Sequence, residues 1–131
     1  MLAFILAVCF LSLQLEAKPY YPPENCPEVG DRQISTDMRY TLFAFMKFDN
    51  PNVVYSCELE KLNIPFIDTN EWPSDEYTPL LHFGKKSRWP SVDAFLQETF
   101  DHWKPRDAKE VGCSFKDDGE EYKVTCVWKT K

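Results

Sequence analysis

The sequence predicts a small α+β domain closed by two disulfides, with a few helices packed on an antiparallel sheet or hairpin. Three observations carry this. Residues 91–104 have the apolar spacing of one helix face, residues 111–128 have the pattern of a β-hairpin, and four cysteines remain once an N-terminal export segment is removed. The chain has 131 residues and a net charge of −6, with 44% hydrophobic and 27% charged residues. That is enough apolar content for a packed core in one domain. The acidic balance argues against a nucleic-acid or anionic-membrane partner reached by bulk charge.

The first fifteen residues, MLAFILAVCFLSLQL, are almost wholly apolar and are broken by Glu16-Ala17-Lys18-Pro19. The run is too short to span a bilayer comfortably, and no second one exists, so no transmembrane segment is expected. The expected reading is a signal peptide over residues 1–17, cut after Ala17, which takes 17 of the 131 residues and leaves 114. Cys9 leaves with it, so Cys26, Cys57, Cys113 and Cys126 remain. An even count in a small exported chain reads as two disulfides, and the absence of close Cys or His pairs argues against a metal site. Of the three pairings possible, Cys26–Cys57 with Cys113–Cys126 is preferred. In a chain-entropy estimate each loop of this size contributes about 3 kcal/mol. No N-x-S/T sequon is present, so no N-linked glycan is expected.

Along the mature chain, residues 18–33 read as an extended Pro-rich arm, with four prolines among Lys18–Pro27, and residues 34–131 read as the single domain. Ser35-Thr36-Asp37 resembles a helix start and Asp49-Asn50-Pro51 a stop. Between them Met38, Leu42, Phe45 and Met46 suit a helix face, yet Tyr40, Leu42, Ala44, Met46 and Phe48 alternate as in a strand. Periodicity leaves that segment open. Val53-Val54-Tyr55 is β-like, and Ser56 is placed to cap a short helix over Glu58–Leu62 with Leu59 and Leu62 facing inward.

Residues 63–90 are interrupted by Pro65, Pro73, Pro79 and Pro90, which predicts an irregular stretch without long helices that still packs its aromatics. Ser91–Lys104 is the clearest element: Val92, Phe95, Leu96, Phe100 and Trp103 share a face, Ser91 is the N-cap and Pro105 follows. In the hairpin, folding about Gly119-Glu120 sets Cys113 opposite Cys126, where a cross-strand disulfide fits.

Little in the chain points to catalysis. There is no G-x-S-x-G, no glycine-rich phosphate loop, and the acid pairs Glu58/Glu60 and Asp117/Asp118 lack the placement of a hydrolase pair. His102 with Asp101 and Glu98 is read as a solvated helix surface, and His82 as a structural histidine. No catalytic, cofactor-binding or metal-binding residue is assigned, no cofactor is expected and the chain is read as a non-enzyme.

Two motifs carry a family resemblance. Tyr55-Ser56-Cys57-Glu58-Leu59-Glu60 resembles the Y-x-C-x-L-E segment of secreted nematode CAP proteins of the Ancylostoma-secreted-protein-like group. Trp103, then Val111-Gly112-Cys113 and Val124-Thr125-Cys126-Val127-Trp128, resembles the W…(V/I)-G-C…V-x-C-x-(Y/W) ending of that domain, in which the two cysteines pair. Thr36-Asp37-Met38-Arg39 is similar to the start of its first helix. The departures are equally clear. The expected H-N-x-x-R stretch is replaced by Phe43–Phe48, and the G-E-N and H-(Y/F)-(T/S)-Q segments are absent. The resemblance therefore implies the cysteine framework, secretion, a helix over residues 36–48 and a reduced CAP-like sandwich. It does not carry over the family's cleft, metal or sterol groove. It implies a shortened, ASP-related excretory–secretory protein of the kind that parasitic nematodes direct at host tissue or immunity.

The function expected is binding of an extracellular protein, a host protein among the candidates. Trp72, Tyr77 and Trp89 are candidate anchors in the Pro-rich middle, beside the basic residues Lys85, Lys86 and Arg88. The alternatives are a carrier of small apolar ligands or lipids, with aromatics lining a cavity, and a protease inhibitor. The sequence is silent on oligomeric state.

Overall fold

A computed structural model describes residues 21–130. The expected signal peptide lies outside the described residues. The helices are α1 (Thr36–Asp49), α2 (Cys57–Thr69) and α3 (Val92–His102), with 3-10 turns at Pro27–Arg32 and Lys86–Arg88. The strands are β1 (Val54–Tyr55), β2 (Thr78–Lys85), β3 (Glu110–Asp117) and β4 (Glu121–Lys129). They form one sheet in the order β1-β3-β4-β2. The α+β class holds, with one addition to the antiparallel sheet expected: β1 runs parallel to β3.

Each helix starts where a serine side chain meets an unpaired backbone N–H. The Ser35, Ser56 and Ser91 hydroxyls accept from the amides of Met38 (3.1 Å), Leu59 (3.2 Å) and Ala94 (3.2 Å). The open segment 36–48 is helical. Its buried residues are Arg39, Leu42, Phe43 and Met46, a helical spacing, so packing decides what periodicity left undecided. The face sits slightly round from the one expected, with Met38 and Phe45 only half-buried. Asn50 closes the helix: its side chain donates to the carbonyls of Pro105 (3.1 Å) and Ala108 (2.6 Å).

Helix α2 and strand β2 correct the irregular stretch expected at residues 63–90. The helix does not stop at Leu62 but runs through Pro65 to Thr69. Pro65 lies on the exposed face, opposite the buried Asn63, Phe66 and Ile67. The hydrogen bond that Pro65 cannot donate is thus missing on the solvent side of the helix, beside the exposed Lys61, where the cost is least. Asn63 also pins the helix to the sheet, donating to the carbonyls of Leu59 (2.7 Å) and Gly112 (2.8 Å). The helix ends at Asn70, in the left-handed region at φ 61°, and the Lys123 ammonium caps it at Ile67 O and Asn70 Oδ1. Strand β2 includes Pro79, which is tolerated because β2 is an edge strand.

The hairpin has the expected register, with Cys113 opposite Cys126, and both disulfides are those preferred. Its turn places Gly119 at φ +94°, and the Asp118 carboxylate accepts from the amides of Glu120 and Glu121. The sheet is covered on both faces. Val127 and Leu81 face α2, against Leu59 and Phe66, while Val124, Cys126 and Leu80 face the larger core with Leu42, Phe95 and Leu96. Gly112 is where α2 presses on β3: a Cβ there would lie 2.3 Å from Glu60 N.

The arm is not wholly extended. Pro27–Arg32 turns as 3-10 helix, with Pro in the first turn and Gly30 at φ 73° making the kink. It is fastened by Cys26–Cys57 and by a buried ion pair. The Arg39 guanidinium grips the Glu60 carboxylate through Nε (2.8 Å) and Nη2 (3.1 Å), and neither residue is exposed at all. Its other donors reach the carbonyls of Glu24 (2.7 Å) and Ile34 (3.1 Å). Glu60 also accepts from the Tyr55 hydroxyl and from the amide of Ile34. Burial, with the Glu60 charge beside it, pushes the Tyr55 hydroxyl well above its ordinary pKa, so Tyr55 stays a donor.

Arg39→Met leaves the Glu60 charge buried without a partner and is expected to cost about 3–5 kcal/mol in denaturant unfolding. Arg39→Met/Glu60→Met should cost markedly less than the sum of the two single changes. Gly112→Ala should destabilise by about 2 kcal/mol or more, because helix and strand backbones must part; an unchanged midpoint in the same assay would refute the tight contact. Asp68 receives Arg32 (2.7 Å) and Lys116 (2.7 Å), whose hydrogen bonds hold its carboxyl well below the usual range. A lowered folded pKa contributes stability above the unfolded value, and that contribution is lost as pH falls through the folded one. Asp68→Asn should therefore shrink the fall in Tm on acidification below about pH 4.

Candidate functional site

The most exposed large apolar side chain on the helices is Phe48, 89% accessible, at the end of α1. It divides two open grooves. One, of roughly 770 Å3, runs between α1 and α3. The other, of roughly 690 Å3, lies between α1 and the start of the arm and is lined by Tyr21, Pro22, Tyr40, Phe43 and Pro51. Both share Ala44 and Phe48.

The α1–α3 groove follows from helix geometry. Thr41, Ala44, Phe45, Phe48 and Asp49 recur at helical spacing along one side of α1, and Asp93, Ala94, Gln97, Phe100 and Asp101 line it from α3. Phe45 and Phe100 stack across its floor, with ring centroids 5.6 Å apart and planes 13° from parallel. The small side chains of Ala44 and Ala94 leave the space above them open. Asp49, Asp93 and Asp101 stand at the margin with one cation, Lys104. Among the described residues none of these carboxylates is in an ion pair; Asp101 accepts a hydrogen bond from Gln97 at 3.0 Å.

The anchors expected from the sequence fall elsewhere, in two groups at opposite ends of β2. Eight residues of strand separate them by about 20 Å or more. Trp72 is 56% exposed, and its indole N–H is turned back onto the carbonyls of Ser74 (2.6 Å) and Tyr77 (3.3 Å). Tyr77 is half-buried against the α2 side of the sheet. At the other end Trp89 is half-buried against Phe95 and donates to Glu98 (3.2 Å). Lys86 is paired with Asp117 (3.0 Å), Arg88 lies over the Trp89 ring, and Lys85 is exposed at the end of β2 opposite Glu121. Phe48 is not among the residues singled out from the sequence as anchors. Its only signal was membership of the alternating series, which in a strand would have turned it inward.

His82 is built into the core edge. Its ring stacks on Phe95 (4.8 Å), and Nδ1 lies 2.7 Å from the Thr99 hydroxyl, which itself donates to Phe95 O (2.9 Å). Thr99 must then accept, so Nδ1 carries the proton and Nε2 faces Glu98 at 3.4 Å. Burial lowers the pKa of His82 against the pull of Glu98. His102 is exposed, with Nδ1 3.1 Å from the carbonyl of Glu98. Among the described residues the one close group of three metal-type ligands is Cys26, Glu28 and Cys57, and both sulfurs are spent in a disulfide. That set does not fit a metal ion. No described helix is long and apolar enough to cross a membrane.

Comparison with known proteins agrees with this architecture. Among solved structures, Ancylostoma-secreted protein Ac-ASP-7 superposes with a TM-score of 0.60 at 15% identity, covering 85% of this chain and 78% of that one. Na-ASP-1 superposes with a TM-score of 0.53 at 13% identity, covering 76% of this chain and 38% of that one. At such identities the likeness is one of fold. No curated protein matches by sequence. The family model described as "Ancylostoma-associated secreted protein related" matches residues 26–128, from the first disulfide cysteine to the last residues of β4. The motifs it spans are the ones that meet in the interior: Arg39, Tyr55 and Glu60 in the ion-pair cluster, Gly112 against α2, and the paired cysteines. With its cysteine pairing and its three-layer sandwich in place, the chain belongs to the Ancylostoma-associated secreted protein related family.

Proposed function

We propose that the protein is secreted and acts without catalysis, by binding an extracellular protein, including one of a host, through the α1–α3 face centred on Phe48. The observation that carries this reading is an aromatic ring almost fully in water between two open grooves, more exposed than Tyr21, Trp72 or Phe83. An exposed aromatic beside concave apolar surface is the usual anchor of an interface. Family membership and two disulfides support an extracellular setting. Both grooves are open to solvent, which suits a protein surface better than an enclosed apolar ligand.

Pull-down from extracellular fluid or cell surfaces with the recombinant mature protein tests the reading. Phe48→Ser should abolish capture of a partner that the parent protein retains, with the thermal midpoint nearly unchanged because the ring packs against little. Trp72→Ala and Lys85→Ala/Arg88→Ala should leave capture intact. Loss in those variants but not in Phe48→Ser would move the contact to the β2 flank and overturn the assignment.

A further inference from the structure

We propose that the segment captured in the α1–α3 groove is a cationic amphipathic helix. This rests on the reading that the Phe48 face is the contact surface, and it adds the chemistry of the partner.

Shape is the first argument. The groove is bounded by two helices over about two to three turns, roughly 12–16 Å at the α-helical rise. Helices present ridges that fit such a furrow, and the small side chains of Ala44 and Ala94 let a third backbone come close. The stacked pair Phe45 and Phe100 offers an apolar floor for residues recurring every three or four positions. Phe48 stands at the edge, placed to fold over the side of an incoming helix.

Charge is the second. Three of the four charged groups at the margin are carboxylates, and among the described residues none is in an ion pair. They occur on both sides, Asp49 from α1 and Asp93 and Asp101 from α3. A helix with an apolar stripe flanked by Lys or Arg would lay the stripe on the aromatic floor and its cations against both margins. A second copy of this chain offering the same face would bring carboxylates against carboxylates, which disfavours a symmetric dimer here.

Calorimetric titration of the mature protein with two synthetic helical peptides of about 14 residues tests this. One alternates Leu with Lys at helical spacing; the other has Glu in place of Lys. The Lys peptide should bind and the Glu peptide should not. Asp49→Asn/Asp93→Asn/Asp101→Asn should weaken binding roughly tenfold, as three exposed ion pairs of ordinary strength would give, and should flatten the dependence on salt. Phe48→Ser should weaken it as well. Glu71→Gln/Asp75→Asn/Glu76→Gln removes as many charges from an exposed loop and should leave binding unchanged. Equal binding of the two peptides, no binding of either, or equal losses in the two charge-neutralised variants overturns the proposal. In the pull-down, capture that needs Phe48 but ignores both the Asp→Asn changes and salt leaves the contact surface standing and removes the cationic helix. Capture indifferent to Phe48 removes both.

Discussion

A guanidinium and a carboxylate sealed from water hold the pieces of this domain in register. Taking two such charges out of water is costly, and their attraction offsets the cost only if every remaining donor and acceptor finds a partner. Here they do. Arg39 spends its donors on Glu60, on Gln33 and on carbonyls of the arm, while Glu60 accepts from Arg39, Tyr55 and the amide of Ile34. One network thus joins the arm, α1, β1 and α2, and Tyr55 extends it to the amide of Cys113 on β3 (3.4 Å). An apolar replacement would fill the same volume without specifying where the arm lies. Tyr55 and Glu60 of the Tyr55–Glu60 motif and Arg39 of the Thr36–Arg39 motif are thus spent inside the domain.

The covered sheet explains where the surface features fall. With α2 on one face and α1 and α3 on the other, β4 is buried along most of its length and offers nothing to a partner. The exposed relief is left to the outer faces of the helices and to the edge strand β2. Between α1 and α3 the stacked Phe45–Phe100 pair closes the floor, and two alanines keep the space above it empty. The groove is therefore a by-product of core packing below and small side chains above.

The candidate site was the least legible part of the chain. Phe48 follows Met46 by two residues. In a strand the two would share a face; in a helix two residues turn about 200°, so burying Met46 sends Phe48 outward. The alternating series sets Phe48 on the same face as Met46, and the helix sets it on the other. The aromatics of the Pro-rich middle were the natural anchors by composition, but composition carries no facing. Trp89 and Tyr77 turn inward because β2 brings them against the sheet, and Lys86 and Arg88 lie against Asp117 and Trp89. Asp49, Asp93 and Asp101 become neighbours of one groove only when two helices far apart in sequence lie side by side.

What the sequence by itself determined was local. Ser91 and the spacing of Val92, Phe95, Leu96 and Phe100 specify α3, and the turn about Gly119-Glu120 sets the hairpin register that brings Cys113 to Cys126, because each is decided within a few residues. The tertiary structure decided whatever depends on distant partners. It carried α2 through Pro65, since Asn63, Phe66 and Ile67 are buried on the sheet side and Pro65 lies on the exposed face. It made a strand of the segment around Pro79, since an edge position needs fewer donors. It set β1 parallel to β3 and turned Phe48 to solvent. Local pattern states which face of an element is apolar, and only the assembled layers state which of those faces finds cover.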